Sequence, residues 1–234
     1  MPEIALALLA LRPDIVALAE FRPSVGGQIA AALADHGLQH TRTTNPPPRT
    51  NGLLLASRLP LLHITTPAPP PPLQRRWLLA DIPDLALTLA AVHLPELERA
   101  EAAAHGWKFL LDLAHARRHA PTIILGDLNA WRPGIDGPDR PNTAAASLGK
   151  LATWGFHDAW RLANHHAETL SSQEPGHTWI SPWGDRFRLD YALVSAPLRD
   201  RVSACRACQG PLSQRLSDHA PLLLELDTTT PRAP

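Results

Sequence analysis

The sequence predicts an α/β protein, and two observations carry that prediction. Short apolar runs of strand character alternate with longer stretches whose apolar residues recur every three or four positions, the period of a helix. Two of the strand-like runs have polar groups fixed at one end. Ile123-Ile124-Leu125-Gly126 leads into Asp127-Leu128-Asn129, and Ser217-Asp218-His219-Ala220-Pro221 leads into Leu222-Leu223-Leu224-Glu225-Leu226. A buried strand holds such terminal side chains in place while they face solvent.

Ile4, Leu8 and Leu11 fall at helical spacing, and Pro13 ends that segment. Residues 14–20 then read as a buried strand that places Glu20 at its C-terminal end. Gly27 to His36 carries Ile29, Ala32 and Leu33 on one helical face, with Gly37 as the stop. Leu53 to Ser57 reads as a strand, as does the alternation Leu85, Leu87, Leu89, Ala91 leading to His93. The clearest helix spans Glu96 to His119, through Leu97, Ala100, Ala104, Trp107, Leu111 and Ala114, and runs into the Asp127 strand. Asn142 is placed to cap a helix bearing Leu148 and Leu151 that Gly155 closes. Residues 187–194 alternate as one strand, with Phe187, Leu189, Tyr191 and Leu193 on one face and Asp190 beside Arg188 on the other. The proline runs at 45–48 and 67–72 are expected as stiff extended loops, walls of a cleft.

At 234 residues the chain can form one large domain, expected over 1–227, with 228–234 as a disordered tail. Lys plus Arg and Asp plus Glu balance at 22 each, so no net field draws it toward nucleic acid or an anionic bilayer; any phosphate must be met locally. Cys205 and Cys208 lack the second pair or spaced histidines of a structural zinc site, and on a strand they face opposite ways. The apolar run from Ile4 to Leu11 is too short to span a bilayer, and Glu3 replaces the basic start of a signal peptide. No membrane segment and a cytoplasmic location are the expectation.

Glu20, His93, Asp127, Asn129, Asp190, Asp218 and His219 all fall at the end or on the open face of an expected strand. Singly, each has a plainer use: Asp127 and Asn129 in a turn after Gly126, Asp218 or Glu20 as a cap. Asp190 differs because it interrupts an apolar strand. A half-buried aspartate needs a cation, a donor or a metal, and His219 could supply an imidazolium or a hydrogen bond. Together, four carboxylates, a carboxamide and two histidines suit metal-assisted attack on a phosphate ester. Hard oxygen ligands such as Glu20 and Asp218 favour Mg²⁺ or Mn²⁺. His93, His219 and Asn129 can donate to oxygens that gain charge, leaving Asp127 to orient or deprotonate water. No Ser or Cys sits in a nucleophile motif, which favours direct water attack.

Ala19-Glu20, Val92-His93-Leu94-Pro95, Gly126-Asp127-Leu128-Asn129, His177-Thr178-Trp179, Arg188-Leu189-Asp190-Tyr191 and Ser217-Asp218-His219 resemble, in order and spacing, the motifs of the endonuclease/exonuclease/phosphatase family. That resemblance covers nearly the whole chain. It implies a four-layer α/β sandwich, two facing mixed β-sheets flanked by helices, with the site at one edge. It also implies Glu20 as metal ligand assisted by Asp218, Asp127 and Asn129 holding water and phosphate, and an Asp190 and His219 pair on the scissile phosphate. His93 stands where the family has a His or Tyr near the phosphate, and Phe187 where some DNA-repair members carry a Trp. Members usually begin with a strand whose Asn joins the metal site, whereas here the helix that would follow it comes first, and the N-terminal strand is missing from the given residues.

The leading expectation is a divalent-metal-dependent phosphodiesterase or nuclease, with DNA or RNA among its substrates. Trp131, Trp179, Trp183 and Phe187, with Arg132, Arg186 and Arg188, flank the proposed site and could stack bases and hold phosphates, although Trp179 is expected in the core. A phosphatase or phospholipase-type hydrolase shares this mechanism, but no amphipathic membrane-binding segment is visible. A binding or scaffold protein without activity is the third possibility, which the missing Asn favours and the presence of the other motif residues opposes.

Overall fold

The computed structural model describes residues 2–65, 68–97, 99–164, 176–213 and 215–228. Its elements in chain order are α1 (Glu3–Ala10), β1 (Ile15–Phe21), α2 (Pro23–Asp35), β2 (His40–Thr43), β3 (Gly52–Ser57), β4 (Leu62–Ile64), β5 (Trp77–Ile82) and β6 (Leu87–His93). Then come α3 (Ala100–Arg117), β7 (Thr122–Asp127), α4 (Ala145–Thr153), β8 (Phe156–Asp158) and α5 (Ala159–Ala163). The chain continues through β9 (Trp179–Ile180), β10 (Arg186–Phe187), β11 (Asp190–Ser195), β12 (Val202–Ala207), α6 (Gln209–Ser213) and β13 (Leu222–Leu226).

Six strands form the main sheet in the order β4-β5-β6-β7-β11-β8, antiparallel except for the β6–β7 pair. Facing it lie a β1-β3-β2 sheet and a separate β12-β13 ladder. Three apolar clusters define the layers. Leu53, Leu55, Leu78, Ile82, Leu89, Ile123 and Val194 fill the space between the sheets. Trp107, Leu110, Leu113 and Leu151 seal α3 and α4 onto the outer face of the main sheet, and Leu8, Leu33, Leu38 and Leu54 seal α1 and α2 onto the other. This is the expected four-layer sandwich. β3 and β6, buried along their whole lengths, read as continuous apolar runs because both faces are covered.

Several sequence expectations need correction. The long helix starts at Ala100, not Glu96, because residues before it turn along the cleft, and α2 begins earlier than expected, with Pro23 in its first turn. Asn142 does not cap α4 directly; its carboxamide oxygen instead accepts from Ala144 N at 2.8 Å in the turn before it. Residues 187–194 do not form one strand. Arg188 leaves the ladder to bury its guanidinium, so β10 pairs with β9 and only β11 joins the main sheet. Part of the second proline run forms a 3₁₀ turn, Pro71–Arg76, and Pro67 lies outside the described residues, as does the expected tail beyond Thr228. Among the described residues no helix is long and apolar enough to cross a membrane. Cys205 is buried on β12, Cys208 is half-buried past its end, and both are free thiols.

Candidate active site

Three ends of the main sheet converge by register. His93 pairs with Asp127 across β6 and β7, and Asp190 pairs with Asp127 across β7 and β11. Gly126 makes this junction possible. Its φ is +138°, and a Cβ there would lie 1.8 Å from Val92 O, so no side chain fits between the strands. Beyond it the chain turns sharply. Asn129 adopts a left-handed φ of 46°, its backbone N–H donates to Asp127 Oδ1 at 2.8 Å, and its Nδ2 donates to Leu94 O at 2.9 Å.

Asp190 and His219 are brought together by Thr178, a fully buried residue that sequence reasoning placed only within a motif. Its hydroxyl oxygen accepts from the backbone N–H groups of Leu189 and Asp190, both at 3.1 Å, while its carbonyl accepts from Ala220 N at 2.7 Å. Ser217 supplies a further turn contact, accepting from His219 N at 3.1 Å. The result is a 2.7 Å contact between His219 Nδ1 and Asp190 Oδ2. His93 Nε2 lies 3.7 Å from Asp127 Oδ2.

The charges are set by burial and by this crowding. Burial lowers the His93 imidazole to about 4, with help from Arg76, whose guanidinium donates to the carbonyls of His93 and Leu94; His93 is neutral at pH 7. Burial raises the Asp127 carboxyl to about 8, and the facing Asp190 charge pushes the same way. Burial alone would lower His219, yet its hydrogen bond to Asp190 and the charges of Asp190, Asp127 and Asp218 hold it up at about 9. His219 is therefore an imidazolium at neutral pH.

Glu20 reaches this edge from the second sheet. The β1–β3 register slips between Leu18 and Phe21, and Glu20 takes a left-handed φ of 57°, a bulge that turns its exposed side chain away from the ladder. Asp218 is also exposed, ahead of β13. All seven sequence-derived candidates line one cavity of about 1420 Å³.

The profile of the endonuclease/exonuclease/phosphatase family matches residues 3–219. The chain belongs to this family. Among solved structures it resembles a 3′ phosphatase from Neisseria bound to product DNA hairpin, with a TM-score of 0.75 and 22% identity over 97% of this chain and 93% of that one. It also resembles an AP endonuclease from Archaeoglobus fulgidus (TM-score 0.75, 20% identity, 96% of this chain and 93% of the other). A third likeness is to a 3′-5′ exonuclease from Neisseria meningitidis (TM-score 0.72, 22% identity, 97% and 94%). No curated protein matches. The likenesses to solved structures, all below 25% identity, carry the fold, and the family match agrees with phosphoester hydrolysis as the class of chemistry.

The flank of the cavity is aromatic. Trp131 and Phe187 meet edge to face at 5.0 Å, and the exposed Arg140 guanidinium lies 5.1 Å from the Phe187 ring centre and 5.9 Å from that of Trp131. Trp183, at the tip of the β9–β10 hairpin, is 85% exposed. Trp179, expected in the core, is only half-buried and lines the cavity.

Two of the arginines expected to hold phosphate are committed elsewhere. Arg188 is fully buried, pairs with Asp136 at 2.7 Å and Asp158 at 2.6 Å, and lies over the Tyr191 ring. Arg132 pairs with Asp136 at 2.7 Å. Asp136, Thr178 and Arg140 are the residues that sequence reasoning missed as part of the site. Asp136 sits within an unremarkable Pro/Gly-rich turn, and its signal appears only once Arg188 is seen to be buried.

Among the described residues no three His, Cys, Asp or Glu side chains form a preassembled cation cluster. Glu20 and Asp218 nonetheless offer exposed carboxylates in the same cavity as the buried Asp127 and the half-buried Asp190. Such a set suits a Mg²⁺-type ion, which keeps several waters and takes one or two carboxylates plus substrate phosphate, rather than a zinc-type cage.

Proposed function

We propose that the cavity hydrolyses a phosphodiester of DNA or RNA by direct attack of water. The observation that carries this reading is the contact of His219 with Asp190 directly opposite Asp127: one imidazolium and one near-neutral-titrating carboxyl in a single buried pocket.

His219, held by Asp190 through Nδ1, directs Nε2–H outward as a fixed, charged donor to a phosphoryl oxygen that gains charge in the transition state. Asp127 takes the proton of the attacking water. A carboxyl titrating near the working pH suits that task, and the Asn129 N–H holds one of its oxygens in place. Neutral His93 and the Asn129 carboxamide donate to the remaining phosphate oxygens. Glu20 and Asp218 would hold a divalent ion, Mg²⁺ or Mn²⁺, which when bound neutralises phosphate charge and stabilises the departing oxygen.

Nucleic acid is favoured over lipid by the flank. Trp131 and Trp183 offer π-faces and Arg140 supplies charge beside them, a pairing that suits bases along a phosphate backbone, whereas Phe187, expected to stack bases, is buried and packs edge to face on Trp131. Cleavage of single- and double-stranded oligonucleotides with Mg²⁺, against a phosphoinositide and a small phosphomonoester at equal concentration, tests the reading. Activity retained in both Asp127→Asn and His219→Ala, or confined to the lipid, would falsify it.

A further inference from the structure

Arg132 and Arg188 spend their charge on the buried Asp136, but Arg140 lines the cavity with half of its side chain exposed. Its guanidinium rests on the Phe187 and Trp131 rings and meets the carboxylate of Asp185 at 3.4 Å. Asp185 itself lies outside the cavity's lining, on the returning arm of the β9–β10 hairpin. The cation therefore faces the cavity while its counter-ion pulls on it from beyond the rim.

Both backbones are fixed. Arg140 N donates to Pro138 O at 2.8 Å, and the same carbonyl accepts from Trp131 Nε1 at 3.3 Å. A Cβ on Gly137 would lie 2.8 Å from Phe187 and 2.9 Å from Trp131, so this turn is seated tightly against the two rings. Across the rim, Ser181 N donates to Asp185 O at 2.8 Å, and Ser181 Oγ accepts from Asp185 N at 3.0 Å. Two anchored loops thus meet through side chains that can reorient without moving either main chain. The pair is also loose: Arg188 and Arg132 hold their carboxylates at 2.6–2.7 Å. An exposed contact at 3.4 Å contributes little, whereas a phosphodiester offers two oxygens to one guanidinium fork. The rings keep the cationic head at the rim in either arrangement.

We propose that Arg140 binds a substrate phosphate next to the catalytic groups, and that Asp185 is the resident counter-ion this phosphate displaces. Asp185 acts as an internal competitor. A phosphate alone trades one anion for another and gains little, while a strand that also stacks a base on Trp131 or Trp183 makes the exchange favourable. This inference rests on the nucleic-acid reading of the cavity and adds to it the residue that receives the backbone and the one that opposes it.

The test is a double-mutant cycle on the 234-residue chain: wild type, Asp185→Asn, Arg140→Gln and the double variant. Anisotropy of a labelled single-stranded oligonucleotide in Ca²⁺ gives Kd at several salt concentrations. Both side chains are partly exposed, and the Tm of each variant checks that it folds. Asp185→Asn is expected to tighten binding by about two- to five-fold, and to change nothing once Arg140 is Gln. Arg140→Gln should weaken binding and flatten the slope of log Kd against log salt by about 0.7, the loss of one single-strand phosphate contact. An equal gain from Asp185→Asn in both backgrounds would overturn the proposal by showing a general charge effect. Weaker or unchanged binding in Asp185→Asn would overturn it by making the pair a staple between loops. Wild-type chain that binds no oligonucleotide removes the nucleic-acid reading and this inference together, whereas wild-type binding with an uncoupled cycle removes this inference alone.

Discussion

Asp127 and Asp190 face each other across β7 and β11, and only Asp190 has a cationic partner in contact, His219 at 2.7 Å. Two carboxylates in register on one face repel. The two differ in environment: Asp190 lies against the His219 ring, while burial drives Asp127 toward its neutral form.

Asp127→Asn and His219→Ala should each lower Mg²⁺-supported oligonucleotide cleavage by about 10²–10⁴-fold, the usual cost of losing a general base or a charged donor. Single-turnover rates on one labelled substrate measure it, with circular dichroism confirming the fold. EDTA should abolish activity, and Glu20→Gln should shift the Mg²⁺ requirement upward; unchanged metal dependence in Glu20→Gln would remove Glu20 from the ion's ligands.

In metal-free protein, His219 should titrate near 9 and His93 near 4 by NMR of the imidazoles. Asp190→Asn should move His219 down toward its ordinary 6.5 or below, since burial then acts without its main counterweight. Both Asp127 and His219 have folded-state values raised above their ordinary ones. Their stabilisation is therefore full at low pH and is lost as pH rises, through about 8 for Asp127 and about 9 for His219. Urea unfolding of the metal-free chain should show stability falling between about pH 7 and pH 9.5; a flat profile would contradict the assignment.

Gly126→Ala should unfold the protein or cost more than about 3 kcal/mol, because the new methyl meets Val92 backbone at 1.8 Å in a conformation L-residues avoid. Gly149→Ala, inside α4 with nothing within 4 Å, should instead be neutral or stabilise by up to about 1 kcal/mol. Denaturant midpoints for the two variants give the comparison directly.

Asp136→Ala should destabilise by about 3–5 kcal/mol, since it leaves the buried Arg188 guanidinium with one carboxylate fewer and releases Arg132 and Arg161. Replacing Arg188 by Met at the same time should recover part of that loss. Thermal unfolding of the single and double variants decides it.

Trp183→Ala should leave stability within about 0.5 kcal/mol while weakening single-stranded oligonucleotide binding by about 1–3 kcal/mol, as expected for one lost stacking surface. Fluorescence anisotropy in the presence of Ca²⁺, to hold back turnover, measures the affinity.

The sequence made β1, β3, β6, β7 and β13 legible because each is a short apolar run with a sharp boundary, and the candidate polar groups stood at those boundaries. β2 and β4 were not legible, being partly exposed strands without an apolar face, and β5 was masked by the proline run before it. The break at Arg188 was invisible for a different reason. Alternation placed the guanidinium on an open face beside Asp190, and only the distant Asp136 and Asp158 reveal why it turns inward. Thr178 likewise acts through backbone contacts that no local pattern encodes.

The Thr178 anchor carries a consequence for divergence within such folds. Because one residue grips both the start of β11 and the amide of Ala220, the tip of the β9–β10 hairpin, which leaves after Thr178 and returns at Leu189, can change character without separating the carboxylate from its imidazole. Variation in that stretch is free to reshape which molecules approach while the charge pair itself stays in tune.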